Sequence, residues 1–340
     1  MKLNKTQLRI LVQKLKLYEK SPIAFIYDQW GIMPQPAAVG YEALVNDICG
    51  RGAFEELEPY YFVPFQKGKH ITWQQIQVLA AMELALAGKM PKRISIRSGH
   101  GTGKSCVLAW LILWFLFTFK NAQIPCTAPT SVQMHDVLWK ELKYWIDKMP
   151  PEVAQQYDHT GSYVRIIGNP EVWFARAATA RKEAPEALAG IHGEHVLYAI
   201  DEASGVPQEI FNTAEGSLTN ANAFVVMASN PTRLVGYFHD SHYSDKRQWQ
   251  CVHLDSEDSP LVDKSYVERM EQKNGRDSDE FAIRVRGDFP RADAVDEKGY
   301  VPLLIESDLH MCGAVEFLST KRLGIDPSGE GNNKTIFVVR

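Results

Sequence analysis

The sequence predicts an α/β fold, a mainly parallel sheet flanked by helices, and three stretches carry that expectation. In the first, over 93–119, Arg93-Ile-Ser-Ile-Arg is followed by Ser98-Gly-His-Gly-Thr-Gly-Lys-Ser105 and then a long apolar run, the layout of strand, tight glycine loop and helix. In the second, His195-Val-Leu-Tyr-Ala-Ile is a continuous apolar run that closes on Asp201-Glu202. The third, Ala223-Phe-Val-Val-Met-Ala, closes on Ser229-Asn230-Pro231-Thr232. Strands of a parallel sheet, covered on both faces, read as such unbroken runs and carry functional residues at their carboxyl ends.

Composition sets bounds on partners and compartment. The 340 residues, 45% hydrophobic and 23% charged, suit a soluble protein with one large core and a smaller unit. Lys+Arg 37 against Asp+Glu 41 gives a net charge of -4, so contact with nucleic acid requires a local patch or several subunits together. Five scattered cysteines, Cys49, Cys106, Cys126, Cys251 and Cys312, include no C-x-x-C and point away from disulfides and zinc, toward a reducing cytoplasm. The apolar run over 106–119 is shorter than a bilayer span and follows Lys104 directly, so it reads as the buried helix behind the loop. The basic start, with Lys14, Lys16 and Lys20 close behind Leu11, is unlike a signal peptide.

Taken in order, Leu8, Leu11 and Leu15 lie at helical spacing among Lys2, Lys5, Arg9 and Lys14. That is an amphipathic basic helix, fit for DNA, a neighbouring subunit or simple solvation of its polar face. Over 21–61, Trp30, Pro34, Pro36 and Pro59 suggest an N-terminal subdomain packed by aromatic contacts. Thr72 is placed to cap a helix beginning Trp73-Gln-Gln-Ile. An amide matches the N6/N7 edge of adenine, so Gln74 or Gln75 could select ATP over GTP, with Trp73 packed nearby.

In the loop, Gly99, Gly101 and Gly103 let backbone N–H groups turn inward around phosphates, with Thr102 among them, and the helix beginning near Gly103 points its positive end at the same place. Lys104 then reaches the β and γ oxygens and Ser105 holds Mg²⁺. Ser98 stands where G-x-x-x-x-G-K-[ST] has its first glycine, and the neighbouring glycines are expected to supply the freedom lost. A structural glycine turn is the alternative; the strand before and helix after favour the nucleotide.

A second strand over 123–127 and a helix over 128–149 complete an expected right-handed βαβ unit. Short strands follow over 164–168 and 172–177, then a polar loop. Arg176, Arg181 and Lys182 are candidates for a cation that reaches the γ-phosphate of a neighbouring subunit, with Arg181 assigned the catalytic place. Asp201 is expected in the Mg²⁺ shell and Glu202 as the base that orients and deprotonates the attacking water. That second acid, with a further strand between the two motif strands, marks the motor (RecA/ASCE-like) branch of P-loop NTPases. Asn230, one strand over, would sense the γ-phosphate. His192 with His195, and His239 with His242, have helical spacing but no cysteine support, and spacing alone does not make them a metal site.

The expected divisions are an N-terminal helical subdomain over 1–65, the ATPase core over 66–232 and a small lid subdomain over 233–295 built of short helices and one strand (249–254). A linker over 296–318 and a strand-turn-strand over 319–340 follow.

The ordered set Trp73-Gln74, Gly103-Lys104-Ser105, Asp201-Glu202-Ala-Ser, Ala228-Ser-Asn-Pro-Thr232, Arg286-Gly-Asp-Phe-Pro290 and Gly324-Ile-Asp326-Pro resembles the large terminase subunits of tailed bacteriophages. The resemblance implies a ring-forming ATPase, pentameric when active, that uses ATP and Mg²⁺ to drive double-stranded DNA into a procapsid. Its implied partners are the portal protein and the small terminase subunit, with no membrane, in the host cytoplasm during phage assembly. It also implies a coupling role for Ser229 and Asn230, an arginine acting in trans, and the start of an RNase H-like nuclease domain using Mg²⁺ or Mn²⁺, with Asp326 as its first metal carboxylate. Asn332-Asn333 stand where an aspartate is often found. Two-metal chemistry takes acids from separate strands, so 340 residues are expected to be a partial protein without competent nuclease activity. A helicase-like nucleic-acid-dependent ATPase would normally add a second motor domain, and a nucleotide-binding scaffold would not need both acids.

Overall fold

In the computed structural model, β1 (Met33–Pro34) pairs with β2 (His70–Ile71), and an eight-stranded sheet runs in the order β10 (Gln250–Leu254), β3 (Arg93–Ser98), β9 (Ala223–Ser229), β8 (Val196–Asp201), β4 (Gln123–Ala128), β7 (Phe174–Thr179), β6 (Tyr163–Ile166), β5 (Tyr157–His159). The residues described are 5–34, 65–180, 193–217 and 222–291, with the backbone of Leu323–Asp326 and Ile336–Val339. Contacts divide the chain into one unit, Met1–Pro290, and a second, Arg291–Arg340. In the second unit, β11 (Leu323–Asp326) pairs antiparallel with β12 (Ile336–Val339), the strand-turn-strand expected there.

The centre of the sheet goes to the most apolar strands. Every residue of β8 (Val196–Asp201) and β9 (Ala223–Ser229) is buried. Their side chains alternate between two cores, Leu197, Ala199, Val226 and Ala228 on one face, Tyr198, Ile200, Val225 and Met227 on the other. Beside them lie β3 (Arg93–Ser98) and β4 (Gln123–Ala128), all four parallel. β3 and β4 are therefore not neighbours, and the βαβ unit they form through the helix after β3 is a crossover that leaves room for two strands. A strand with no polar face is stable only where both sides are covered, which puts β8 and β9 in the middle. At the far edge, β7 (Phe174–Thr179) is parallel to β4, whereas β6 (Tyr163–Ile166) and β5 (Tyr157–His159) close the sheet antiparallel.

The segment expected as a separate lid is corrected as well. Its strand, β10 (Gln250–Leu254), pairs in parallel with β3 from Gln250↔Ile94 to Leu254↔Ser98, and 233–290 falls in the same compact unit as the core. Burial alternates along β10, the pattern of an edge strand with one solvated face.

Two short helices come first, α1 (Lys5–Tyr18) and α2 (Pro22–Trp30), the latter capped by the Ser21 hydroxyl, which accepts from the Ala24 N–H. Two more flank β3, α3 (Trp73–Leu86) before it and α4 (Lys104–Thr118) after the loop. From Val107 to Leu116 every residue of α4 is buried, because the sheet covers one side and α1, α2 and α5 (Lys140–Asp147) the others. Trp30 packs its ring 5.0 Å from Trp145 and 6.4 Å from Trp110, and the Trp114 indole N–H donates to the Tyr18 carbonyl at 2.8 Å. Each large side chain buried this way contributes about 1.5–3 kcal/mol, so the N-terminal helices share the core of the unit, held by the aromatic contacts expected of them. The helix expected over 128–149 opens with a π-helical stretch, Gln133–Trp139, before α5. Among the described residues no helix is long and apolar enough to cross a membrane.

His242, at the end of the short helix Tyr237–His242, is buried with Nε2 2.9 Å from the Ser95 hydroxyl. Burial first, then Arg97, His239, His253 and Lys246, push its pKa from 6.5 down to about 3. The folded protein thus keeps this ring neutral at pH values where the unfolded chain protonates it. The group's contribution is present above pH 6.5 and is lost as pH falls toward 3. His242→Gln is expected to flatten the decline in unfolding free energy between about pH 6.5 and 4, read from urea denaturation; an unchanged slope would exclude His242 as its source.

Candidate nucleotide-binding site

β3 ends at Ser98, and a turn through Gly101 and Gly103, both left-handed with φ of 75° and 86°, leads into α4. Those two glycines supply the freedom expected of them. Ser98 is not left-handed, so a side chain there costs no strain; its hydroxyl donates to the Gly99 carbonyl at 2.7 Å and lies 2.6 Å from the Thr102 hydroxyl. Ser98 and Thr102 therefore shape the loop with their side chains and can meet a ligand only through backbone. Gly103 caps α4 without a side-chain bond, leaving the first-turn N–H groups without intrahelical acceptors, a ready place for an anion.

Because β3, β9 and β8 are adjacent, their carboxyl ends bring the sequence-predicted residues together. Lys104 Nζ lies 2.8 Å from Glu202 Oε1 and donates to Asn230 Oδ1 at 3.1 Å. Asn230 Nδ2 donates to the Ser98 carbonyl at 2.5 Å, tying β9 to the loop. Ser229 donates to Glu202 Oε2 at 3.3 Å and accepts from the Ser204 N–H at 3.1 Å. Ser105 donates to Asp201 Oδ2 at 3.3 Å. Glu202 itself is left-handed (φ 51°), an uncommon state for a side-chain-bearing residue that turns the chain sharply after β8.

Asp201 is buried, and burial first, then the neighbouring Glu202 charge, raises its pKa from 3.8 to about 6; Lys104 and hydrogen bonds from the Glu202 N–H and Ser105 work the other way. A hydroxyl and a carboxylate at this spacing form a hard-oxygen donor set that fits Mg²⁺.

Beside the loop opens a cleft of about 770 Å³, walled by Gln75, Gly101, Gly103, Lys104 and Ser105 on one side and by His70 and Tyr144 among others. Such a volume is in the range of small-molecule sites. Gln75 completes a capping box with Thr72, its Oε1 accepting from the Thr72 N–H at 3.1 Å, and its Nε2 donates to the Gly103 carbonyl at 3.3 Å. Gln74 is corrected: it is buried beneath the end of β10, where Nε2 donates to the Asp255 carbonyl at 2.8 Å, and it is not part of the cleft wall. Its place on α3 turns it toward β10 instead of the loop. Arg181 and its neighbour Lys182 lie outside the described residues, and so does the side chain of Asp326, whose backbone ends β11. Arg176 is on β7, with β4 between it and β8.

Sequence reasoning missed what holds the loop from behind. The Gly99 N–H donates to the Leu254 carbonyl at 2.9 Å and the His100 N–H to the Arg284 carbonyl at 2.7 Å. Ser256 donates to the His100 carbonyl at 2.8 Å through its hydroxyl and to the Val285 carbonyl at 2.8 Å through its N–H. A π-helical turn, Ala282–Arg286, ends in left-handed Gly287 (φ 69°), where a Cβ would stand 2.5 Å from the Gly99 nitrogen and 2.6 Å from the Ser98 carbonyl carbon. The signal was present in Arg286-Gly-Asp-Phe, but no local pattern says which glycine another one touches.

Loop, acids and sheet order together define an α/β protein of the P-loop NTPase class. By sequence the chain is similar to the "Probable terminase, large subunit" of Enterobacteria phage P7, at 32% identity over 236 residues. The match takes in 66% of this chain and 47% of that protein, so the chain spans about half the length of this curated relative. Two solved structures of the large terminase from a thermophilic bacteriophage, one in complex with ADP, match with TM-scores of 0.53 and 0.52 at 16% and 17% identity. They cover 79% and 82% of this chain, which in turn covers 64% and 65% of theirs, and the likeness establishes a shared fold. No family model matches. The motifs and the phage P7 relative thus point the same way, to phage large terminases.

Gly287→Ala is expected to lower unfolding stability by about 2–4 kcal/mol, since both the left-handed backbone and the loop's main chain resist a methyl group. Gly31→Ala, equally left-handed (φ 64°) but with nothing near its Cβ position, is expected to cost only about 1 kcal/mol. Equal losses in chemical denaturation would mean that the contact with the loop is not a constraint.

Proposed function

We propose that the chain is the ATPase part of a phage large terminase, which hydrolyses ATP in the cleft beside Lys104 and uses the energy to move double-stranded DNA into a procapsid. The observation that carries this is the convergence of Lys104, Asp201, Glu202 and Asn230 on one glycine loop. The phage P7 relative, and ADP in a thermophilic-phage large terminase of the same fold, support it.

In this reading the triphosphate lies along the first-turn N–H groups of α4, with the Lys104 ammonium between its β and γ oxygens. Ser105 and Asp201 would hold Mg²⁺, which when bound neutralises charge on the phosphate oxygens. Lys104 and Glu202 pair with each other, so a phosphate that takes the ammonium leaves Glu202 without its cation. The freed carboxylate accepts a proton from water as the water oxygen bonds to the γ-phosphorus and the bond to the bridging oxygen of ADP breaks. Asn230, joined to both Lys104 and the loop carbonyl of Ser98, reports this exchange to β9. Arg181, supplied to a neighbouring subunit in a pentameric ring, would stabilise charge on the γ-phosphoryl group. Gln75 would face the base. The portal protein and small terminase subunit would be the assembly partners in the host cytoplasm, and Asp326 would belong to a nuclease whose remaining acids lie elsewhere.

Phosphate release by the full chain tests the central step. Glu202→Gln is expected to lower turnover by about 10²–10⁴-fold while nucleotide affinity is retained, whereas Lys104→Ala loses affinity as well. Turnover undiminished in Glu202→Gln would remove the general-base assignment, and absence of nucleotide binding in the unmodified chain would remove the proposal.

A further inference from the structure

The side chains of β3 alternate in direction. Ile94 and Ile96 join the core that contains α4, whereas Ser95 faces Ser241 and His242 on the opposite side of the sheet. Arg97 shares that second side and forms one wall of a separate pocket of about 290 Å³, together with Tyr243, Lys246, His253 and Phe289. This pocket has no wall in common with the nucleotide cleft.

Its charge is unbalanced. Arg97 pairs with Asp288 at 2.5 Å, and His253 Nε2, 2.6 Å from the Arg286 carbonyl, also lies 3.6 Å from the same carboxylate. Asp288 thus answers one cation. Lys246 is exposed and, among the described residues, has no ion-pair partner. After burial, Arg97, His239, His253 and Lys246 are the groups that lower the His242 pKa, so these cations share one neighbourhood. Tyr243 adds a hydroxyl at the rim and Phe289 an apolar floor. The volume is several times the ~30 Å³ of a water molecule, enough for a phosphate together with a substituent. A guanidinium fork and an ammonium across a partly enclosed pocket are the usual donors to phosphate oxygens.

We propose that this pocket, on the face of the sheet away from the nucleotide cleft, binds a phosphate group through Arg97 and Lys246. The ligand is a phosphomonoester, free phosphate or one phosphodiester of a nucleic-acid backbone, all sharing the chemistry of an anionic tetrahedral oxygen cluster. The site is also wired to the loop. Arg97 directly precedes Ser98, and Asp288 directly follows Gly287, which touches Ser98 and Gly99. A phosphate that draws Arg97 from Asp288 acts on both sides of that contact.

Inorganic phosphate titrated into the full chain, with the loop saturated by ADP, measures the site by calorimetry. Lys104→Ala is titrated in parallel, so that a failure of nucleotide binding does not hide the second site. Saturable phosphate binding is expected in both, weakened tenfold or more in Lys246→Glu and unchanged in Lys143→Glu, an exposed lysine on α5. Lys246 is exposed, so its replacement leaves folding intact; Arg97→Gln should reproduce the loss if it folds. A labelled DNA duplex that displaces phosphate identifies the diester as the ligand, and failure to displace identifies the monoester or free anion. No binding in the Lys104→Ala chain, or equal binding in Lys246→Glu, overturns the proposal.

Discussion

The ammonium of Lys104, only 14% exposed, cannot be left without compensation, and its 2.8 Å approach to Glu202 is the constraint on which the site depends. A cation withdrawn from water costs several kcal/mol unless a carboxylate and further hydrogen bonds surround it. Glu202, just past β8, and Asn230, just past β9, provide them, and they can do so only because β3, β9 and β8 lie side by side with their carboxyl ends level. The apolar character of β8 and β9 decides the sheet order, and the sheet order decides which side chains meet Lys104.

The glycine loop is braced both from behind and from within. Two of its N–H groups are spent on carbonyls of Leu254 and Arg284, and Ser98 and Thr102 bind each other from within. What remains toward the cleft is the start of α4. The rigidity behind the loop comes from contact with Gly287, where backbone meets backbone without a side chain between. Residues 250–287 are therefore a structural wall for the loop, and β10 among them is as much part of the sheet as β3 itself.

Much of this was legible because it is local. Gly99 to Ser105 carries its own geometry, and Asp201-Glu202 announces itself at the end of an apolar run. The apolar run from Cys106 to Phe119, short for a bilayer span, read as a buried helix, and Val107 to Leu116 are buried. The strand Gln250-Cys-Val-His-Leu254 was visible, but its alternation does not name a partner, and a polar edge strand looks the same in a lid as in the main sheet. Gln74 and Gln75 could not be told apart by residue type; one position along α3 separates a residue at the cleft from one buried under β10. The pairing of Gly99 with Gly287, and of Arg97 with Asp288, joins stretches remote in the chain, which no window of sequence contains.

The placement of β3 has a bearing on biogenesis. Both of its neighbours, β9 and β10, are encoded far downstream, and parallel pairing over such separations is slow because the intervening chain must first be closed. On the ribosome, the glycine loop emerges long before either flank exists. Until residue 254 and the turn at 287 have been made, Ser98 to Ser105 has no floor on which to settle. The glycine loop, made early, therefore takes its final shape only late in synthesis.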